Sequence, residues 1–268
     1  MTRHDNNVEA PVVTSTGSWV RMGALGRMTC AVFATAAITF LGASAAFAAT
    51  AGSSSASQAQ APVFDQPPAG TPNLTGKWAM PKPITHLLTQ DGREPPLNAT
   101  GKAEYARRQA ALKAGDRQVD PISRCLLHGT PRLLYAPHPF LILQTRRSIN
   151  FVHEVNHTFR IVYWDKAPPE DPDPDYLGYS IAHFEGPTLV IDTIGLNDLT
   201  WLDYSGLPHG EKLKVQERYT LSSSNTVAGS VTLTDPDFYT APWTTVFTLD
   251  RLPGMDLKEN VCMDTHQM

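Results

Sequence analysis

Positive charge is not in excess in this chain: 22 Lys and Arg stand against 26 Asp and Glu, with a net charge of -4 and a pI near 6.1. The broad cationic surface that a phosphate backbone requires is missing, so nucleic acid is not an expected partner. Charged residues of both signs reach only 18%, too few for a coiled coil or helical bundle, whose compositions run to Ala, Glu, Lys and Leu. No glycine-rich phosphate cradle occurs. No nucleophile elbow stands out either: Ser180 in Gly178-Tyr179-Ser180-Ile181-Ala182 lacks the second glycine and falls within a strand pattern. Cysteine is scarce, with three residues in 268. Turn formers are plentiful, 22 Pro and 18 Gly beside 41% hydrophobic residues. That balance fits many short strands around one good core, or two small domains at most.

Residues 28–42 read MTCAVFATAAITFLG, preceded by Arg21 and Arg27 and followed by Ala46-Phe47-Ala48. The run is shorter than the roughly 20 apolar residues of a spanning helix and ends in small residues with A-x-A spacing. Residues 1–48 are therefore expected to be a secretory signal peptide cleaved after Ala48. The polar stretch before Arg21 is long for such a signal, so Met22 is an alternative start. Cys30 precedes or opens the apolar run rather than following it, which disfavours a lipid anchor. The expectation is a periplasmic or secreted protein with no stable membrane anchor after cleavage. Cys125 and Cys262 then form an even pair in an oxidising compartment, which predicts one disulfide, the alternative being two buried thiols. Residues 49–73, rich in Ser, Ala, Gln and Pro, have little to bury and read as a disordered tether. The folded domain is assigned to 74–268.

Residues 98–115 offer a polar start, good helix formers and Gly115 as a stop, which predicts one peripheral helix. From Pro139 onward, apolar and polar residues alternate with period two between turn signals. Strands are predicted near 139–145, 149–155, 158–164, 178–185, 188–194, 213–221, 227–235 and 242–250. Tight turns such as Glu185-Gly186-Pro187 join neighbours as hairpins. Eight or nine such strands can remove exposed edges by closing. The fold expected is an all-β, antiparallel up-and-down barrel with one peripheral helix.

Two resemblances accompany this reading. Leu74-Thr75-Gly76-Lys77-Trp78 resembles the G-x-W first strand of lipocalins and other calycins. That resemblance implies that Trp78 closes one barrel end under a basic residue near the last strand, a place Arg251 matches. The interval from Met80 to His138, with its helix, departs from a simple lipocalin. From Cys125 to Cys262, the segments CLLHGTPR, HEVNHTFRIVYWD, LGYSIAHFEGPTLVIDTIGLND, TWLDYSGLPHGEKLKVQERY and DPDFYTAPW resemble a group of secreted bacterial β-rich proteins of unassigned activity. This implies a shared fold and one shared pocket, and transfers no reaction.

Alternation marks polar groups on apolar faces. Leu213, Val215, Glu217, Tyr219 and Leu221 share one face. Glu217 therefore points toward the core, either as a general acid or base or as the partner of an Arg such as Arg160. By the same rule His183 joins Tyr179 and Ile181 on an inward face, with Asp192 on the next strand as its expected partner. The 18-residue connection at 195–212 reads as a lid or an ordered Ω-loop over one barrel mouth. It carries Trp201 and Tyr204 for ligand contact and Asp203 and His209 for proton handling.

Six histidines fall between His128 and His209. His153 and His157 straddle a predicted turn, so H-E-V-N-H lacks the helix that the helical zinc motif needs. PPEDPDPD reads as a solvated extended loop rather than a calcium loop. The function expected is cofactor-free acid-base chemistry, of lyase or isomerase type, on a small apolar or aromatic molecule. His183, Asp192, Glu217, Asp203 and His209 are the candidate proton handlers, with Arg160, Tyr163, Trp201 and Tyr204 as ligand contacts. A non-catalytic carrier and a His-ligated metal enzyme are the alternatives.

Overall fold

The structure is a computed structural model that describes residues 70–164 and 166–262. The expected signal peptide and most of the expected tether lie outside the described residues. Nine strands follow in chain order: β1 (Gly76–Ala79), β2 (Phe140–Gln144), β3 (Ser148–His153), β4 (Phe159–Trp164), β5 (Tyr179–Glu185), β6 (Thr188–Ile194), β7 (Lys214–Ser223), β8 (Thr226–Thr234) and β9 (Trp243–Arg251). They close into one barrel in that order, β9 pairing back onto β1. Among the described residues the all-β barrel with one α-helix is thus present.

One seam departs from simple up-and-down order, because β4 and β5 run parallel, with Val162 opposite Ser180. The count explains it: a ring of strands that alternates direction at every step needs an even number, and nine forces one parallel pair. A parallel pair cannot be joined by a hairpin and needs a connection of a dozen or so residues. The proline- and aspartate-rich stretch between β4 and β5 has that length.

Helix α1 (Ala99–Lys113) starts where Asn98 Oδ1 accepts the Gly101 amide at 2.9 Å and is followed by Gly115 at φ +88°. It lies outside the barrel against the turn after β8. A Cβ on Gly101 would sit 2.3 Å from the Phe238 carbonyl oxygen, so only glycine permits this approach. Among the described residues no helix is long and apolar enough to cross a membrane.

Inside, alternate residues fill the lumen. Trp78, Phe140, Ile142, Ile149, Phe151, Leu189, Ile191, Tyr219, Val231 and Leu249 are each nearly or fully buried. Trp78 anchors the β1/β9 closure. Its indole N–H donates to the Leu74 carbonyl at 2.8 Å, and the Arg251 guanidinium lies 4.3 Å over its ring. A Cβ on Gly76 would meet Arg251 Nη1 at 2.2 Å, which is a physical reason for the glycine two residues before the tryptophan. Cys125 and Cys262 are disulfide-bonded, with Cα atoms 5.5 Å apart across 137 positions of sequence.

Candidate functional site

The barrel register assembles a buried polar network from four strands. Arg160 on β4 faces inward, as do Ser180 on β5, Thr193 on β6, and Glu217 and Tyr219 on β7. Ser180 pairs with Thr193, and Ile191 with Glu217, so the long Arg160 side chain crosses two strands to reach Glu217. Its Nη1 donates to Glu217 Oε1 at 3.1 Å, and its Nη2 donates to Oε2, to Ser180 Oγ at 3.1 Å and to Thr193 Oγ1 at 2.9 Å. Tyr219 O–H donates to Glu217 Oε1 at 2.8 Å. A fully buried carboxylate is tolerable because its charge is paired and its lone pairs are used. The Arg160 pairing weighed for Glu217 is therefore present.

His153, the last inward residue of β3, borders the same region with Phe151. Its ring stacks on Phe140 with centroids 4.9 Å apart. Burial, aided by the Arg160 charge, lowers its pKa to about 3, so the imidazole is neutral. Residues 130–134, between β1 and β2, roof this part of the lumen and leave a cavity of about 10 Å³, room for about one water. Next along the chain is Tyr135, fully buried, whose hydroxyl has no hydrogen-bond partner among the described residues. Burial and then the Glu217 carboxylate raise its pKa well above 10.0. His128 Nδ1 also lacks a partner there, and burial lowers that imidazole to about 4.

The connection at 195–212 is ordered against the barrel end, and its polar residues are held by loop contacts. Asp203 is fully buried and accepts from the amides of Leu87 (2.9 Å), Ser205 (2.9 Å), Gly206 (3.0 Å) and Leu207 (3.1 Å). His209 Nε2 lies 2.8 Å from Thr200 Oγ1, its pKa lowered by burial to about 4. Asp203 and His209 thus have separate hydrogen-bond partners. The guanidinium groups of Arg108 (5.2 Å) and Arg132 (5.5 Å) both lie over the Trp201 ring, and Arg132 also lies 4.3 Å over Tyr204. Arg132 forks onto Asp120 at 2.8 and 2.7 Å. This packing is what an Ω-loop needs to stay ordered on a barrel end.

Three other candidates stand on the outer wall, a correction to the inward placement expected of His183 and Asp192. The inward residues of β5 are Ser180 and Ala182, so His183 projects outward and meets Glu185 at 3.3 Å. Asp192 also faces outward and accepts from Gln216 Nε2 at 2.9 Å. In register His183 opposes Val190 and Asp192 opposes Ile181, so the two do not face each other. Tyr163 stacks outside on Tyr179 at 5.4 Å. Apolar outward residues such as Tyr179 and Ile181 set the false phase, because the inward residues of β5, Ser180 and Ala182, are small. The sequence reading missed His153, Tyr135 and His128. Alternation with Ile149 and Phe151 could have found His153, whereas Tyr135 and His128 lie in irregular chain without a periodic signal.

Comparison of the chain with protein-family models, with curated proteins and with solved structures gives no match.

Proposed function

We propose that this protein is an enzyme of lyase or isomerase type that moves a proton on a small neutral carbonyl compound with an apolar or aromatic body, using its own side chains. The observation that carries this reading is a fully buried Glu217 held by Arg160 and Tyr219 beside the neutral His153. Glu217 takes a proton from carbon next to the carbonyl, and negative charge moves to the substrate oxygen. Both locations lie near Arg160, so the charge of the buried site is the same before and after the step. The unpartnered Tyr135 hydroxyl keeps its proton and can donate to that oxygen. Admission of the substrate requires the roof at 130–134 to lift. The Cys125–Cys262 bond supports work in an oxidising compartment, periplasmic or secreted.

The test is deuterium uptake at the α-carbon of acetone, acetophenone and phenylacetaldehyde in D2O, followed by NMR. At least one of them is expected to exchange faster with protein than in buffer. The Glu217→Gln variant, checked for its fold by circular dichroism, is expected to lose about 100-fold or more. No catalysed exchange in the panel, or full activity in Glu217→Gln, overturns the reading.

A further inference from the structure

A second cluster sits outside the lumen, where the connection at 195–212 meets residues 84–97 and helix α1. Ser205 is the centre. Its backbone is fixed on both sides: its amide donates to Asp203 Oδ1 at 2.9 Å, and its carbonyl accepts from Gln109 Nε2. His86 Nδ1 lies 2.8 Å from Ser205 Oγ, and His86 Nε2 lies 3.1 and 3.0 Å from the two Glu94 carboxylate oxygens. Glu94 can only accept, so it favours the tautomer with the proton on Nε2, in which the Nδ1 lone pair faces the serine. Asp203, 2.8 Å from Oγ through each oxygen and 3.4 Å from His86 Nδ1 through Oδ2, is the competing partner of both groups. The hydroxyl proton thus has two acceptors, and rotation toward His86 is the productive one. Tyr105 O–H lies 3.3 Å from the same Oγ, and burial raises its pKa, so it remains a donor. His86 stacks on Tyr105 at 6.5 Å. His86 is about a third exposed and Glu94 mostly exposed, so the cluster is open to solvent. A cavity of about 410 Å³ shares Glu94 as a wall, with Gln90, Arg93, Trp243 and Thr244.

We infer that Ser205, His86 and Glu94 form the nucleophile, base and orienting carboxylate of an esterase site for small uncharged carboxylic esters, with Tyr105 as oxyanion donor. The arrangement meets the geometric requirement that nucleophile and base lie within hydrogen-bond reach and that a third group orients the base. Ser205 Oγ bonds to the ester carbonyl carbon, and its proton passes to His86 Nδ1, giving an imidazolium paired with Glu94. The carbonyl electron pair moves onto oxygen, which accepts from Tyr105. Collapse breaks the ester C–O bond, and the alcohol leaves with the proton from His86. Water then repeats the sequence on the acyl-serine, releasing the acid and restoring Ser205. Asp203 is a positioning residue that holds the loop and the resting hydroxyl.

The decisive measurement needs no variant: wild-type protein is treated with a fluorophosphonate probe and the modified peptide is located by mass spectrometry. Labelling at Ser205 is expected, together with hydrolysis of p-nitrophenyl acetate. Ser205→Ala should abolish both, and His86→Gln should slow both about 100-fold or more. The mostly exposed Glu94→Gln should slow them less while leaving the fold intact. Glu217→Gln, which disables the lumen chemistry proposed above, should label normally, so the two readings fail separately. An unlabelled wild type, labelling at another residue, or labelling indifferent to His86→Gln overturns the esterase site.

Discussion

Three imidazoles in this fold are neutral because burial removes the water that would stabilise their charge. His128 and His209 are lowered to about 4 and His153 to about 3 from 6.5, each chiefly by desolvation. In the unfolded chain the same groups take up protons near pH 6.5. Between about pH 6.5 and about 4, therefore, the unfolded state binds more protons than the native state. Stability is full above that window and falls as pH falls through it. Each histidine contributes up to about 1 kcal/mol per pH unit within the window. Urea midpoints of wild type and His209→Gln at pH 7.5, 5.5 and 4.5 check this. The variant is expected to show a shallower loss by about one proton, whatever its stability at pH 7.5. Equal slopes would show that His209 is not buried neutral. A neutral His153 also suits the lumen chemistry, since it adds no positive charge to compete with Arg160 for Glu217.

Strand packing depends on where small residues permit large ones. Gly229 of β8 opposes Phe247 of β9, and a Cβ at 229 would lie 2.1 Å from the Phe247 ring. Gly229→Ala should destabilise by about 1–3 kcal/mol through overpacking, and adding Phe247→Leu should recover part of that loss. Denaturant midpoints of the two variants decide it; additive losses would mean that the ring had moved freely aside. The same interplay governs what could be read from the sequence. The expected eight strands correspond to β2 through β9, since each alternates over at least five residues. The short β1 has too little alternation to mark its own limits, although its Gly76 and Trp78 were singled out. The phase of β7 was legible because Val215, Tyr219 and Leu221 contrast with the polar neighbours Lys214, Gln216, Arg218 and Thr220, which puts Glu217 on the apolar face. The phase of β5 was not, because apolar Tyr179 and Ile181 coat the outer wall while Ser180 serves Arg160 inside. Ser205 and His86 escaped notice for another reason: they lie 119 positions apart, and no local pattern joins them.

At the scale of the whole molecule, closure rests on the shortest seam of the barrel, β1 against β9. The four ladders that join β5 through β9 in succession have six to nine residue pairs each, whereas β1 meets β9 at only two, Trp78 with Arg251 and Ala79 with Asp250. Arg251 reinforces that seam from outside the ladder. Its Nη1 donates to the Thr75 carbonyl at 2.8 Å, its Nε donates to the Ser224 carbonyl at 2.9 Å, and its guanidinium covers Trp78. Replacing it with alanine should cost about 1–3 kcal/mol, from two charge-assisted hydrogen bonds and one cation-π contact at a partly exposed position. More telling is where the loss falls. If β1 and β9 open locally, hydrogen exchange in Arg251→Ala should accelerate about tenfold or more at 76–79 and 250–252 while the long β6–β7–β8 ladders keep their protection. Uniform acceleration across all strands would mean instead that the barrel opens only by global unfolding. In that case the lumen network of Arg160 and Glu217 would be reachable only through the roof at 130–134, and not through the seam.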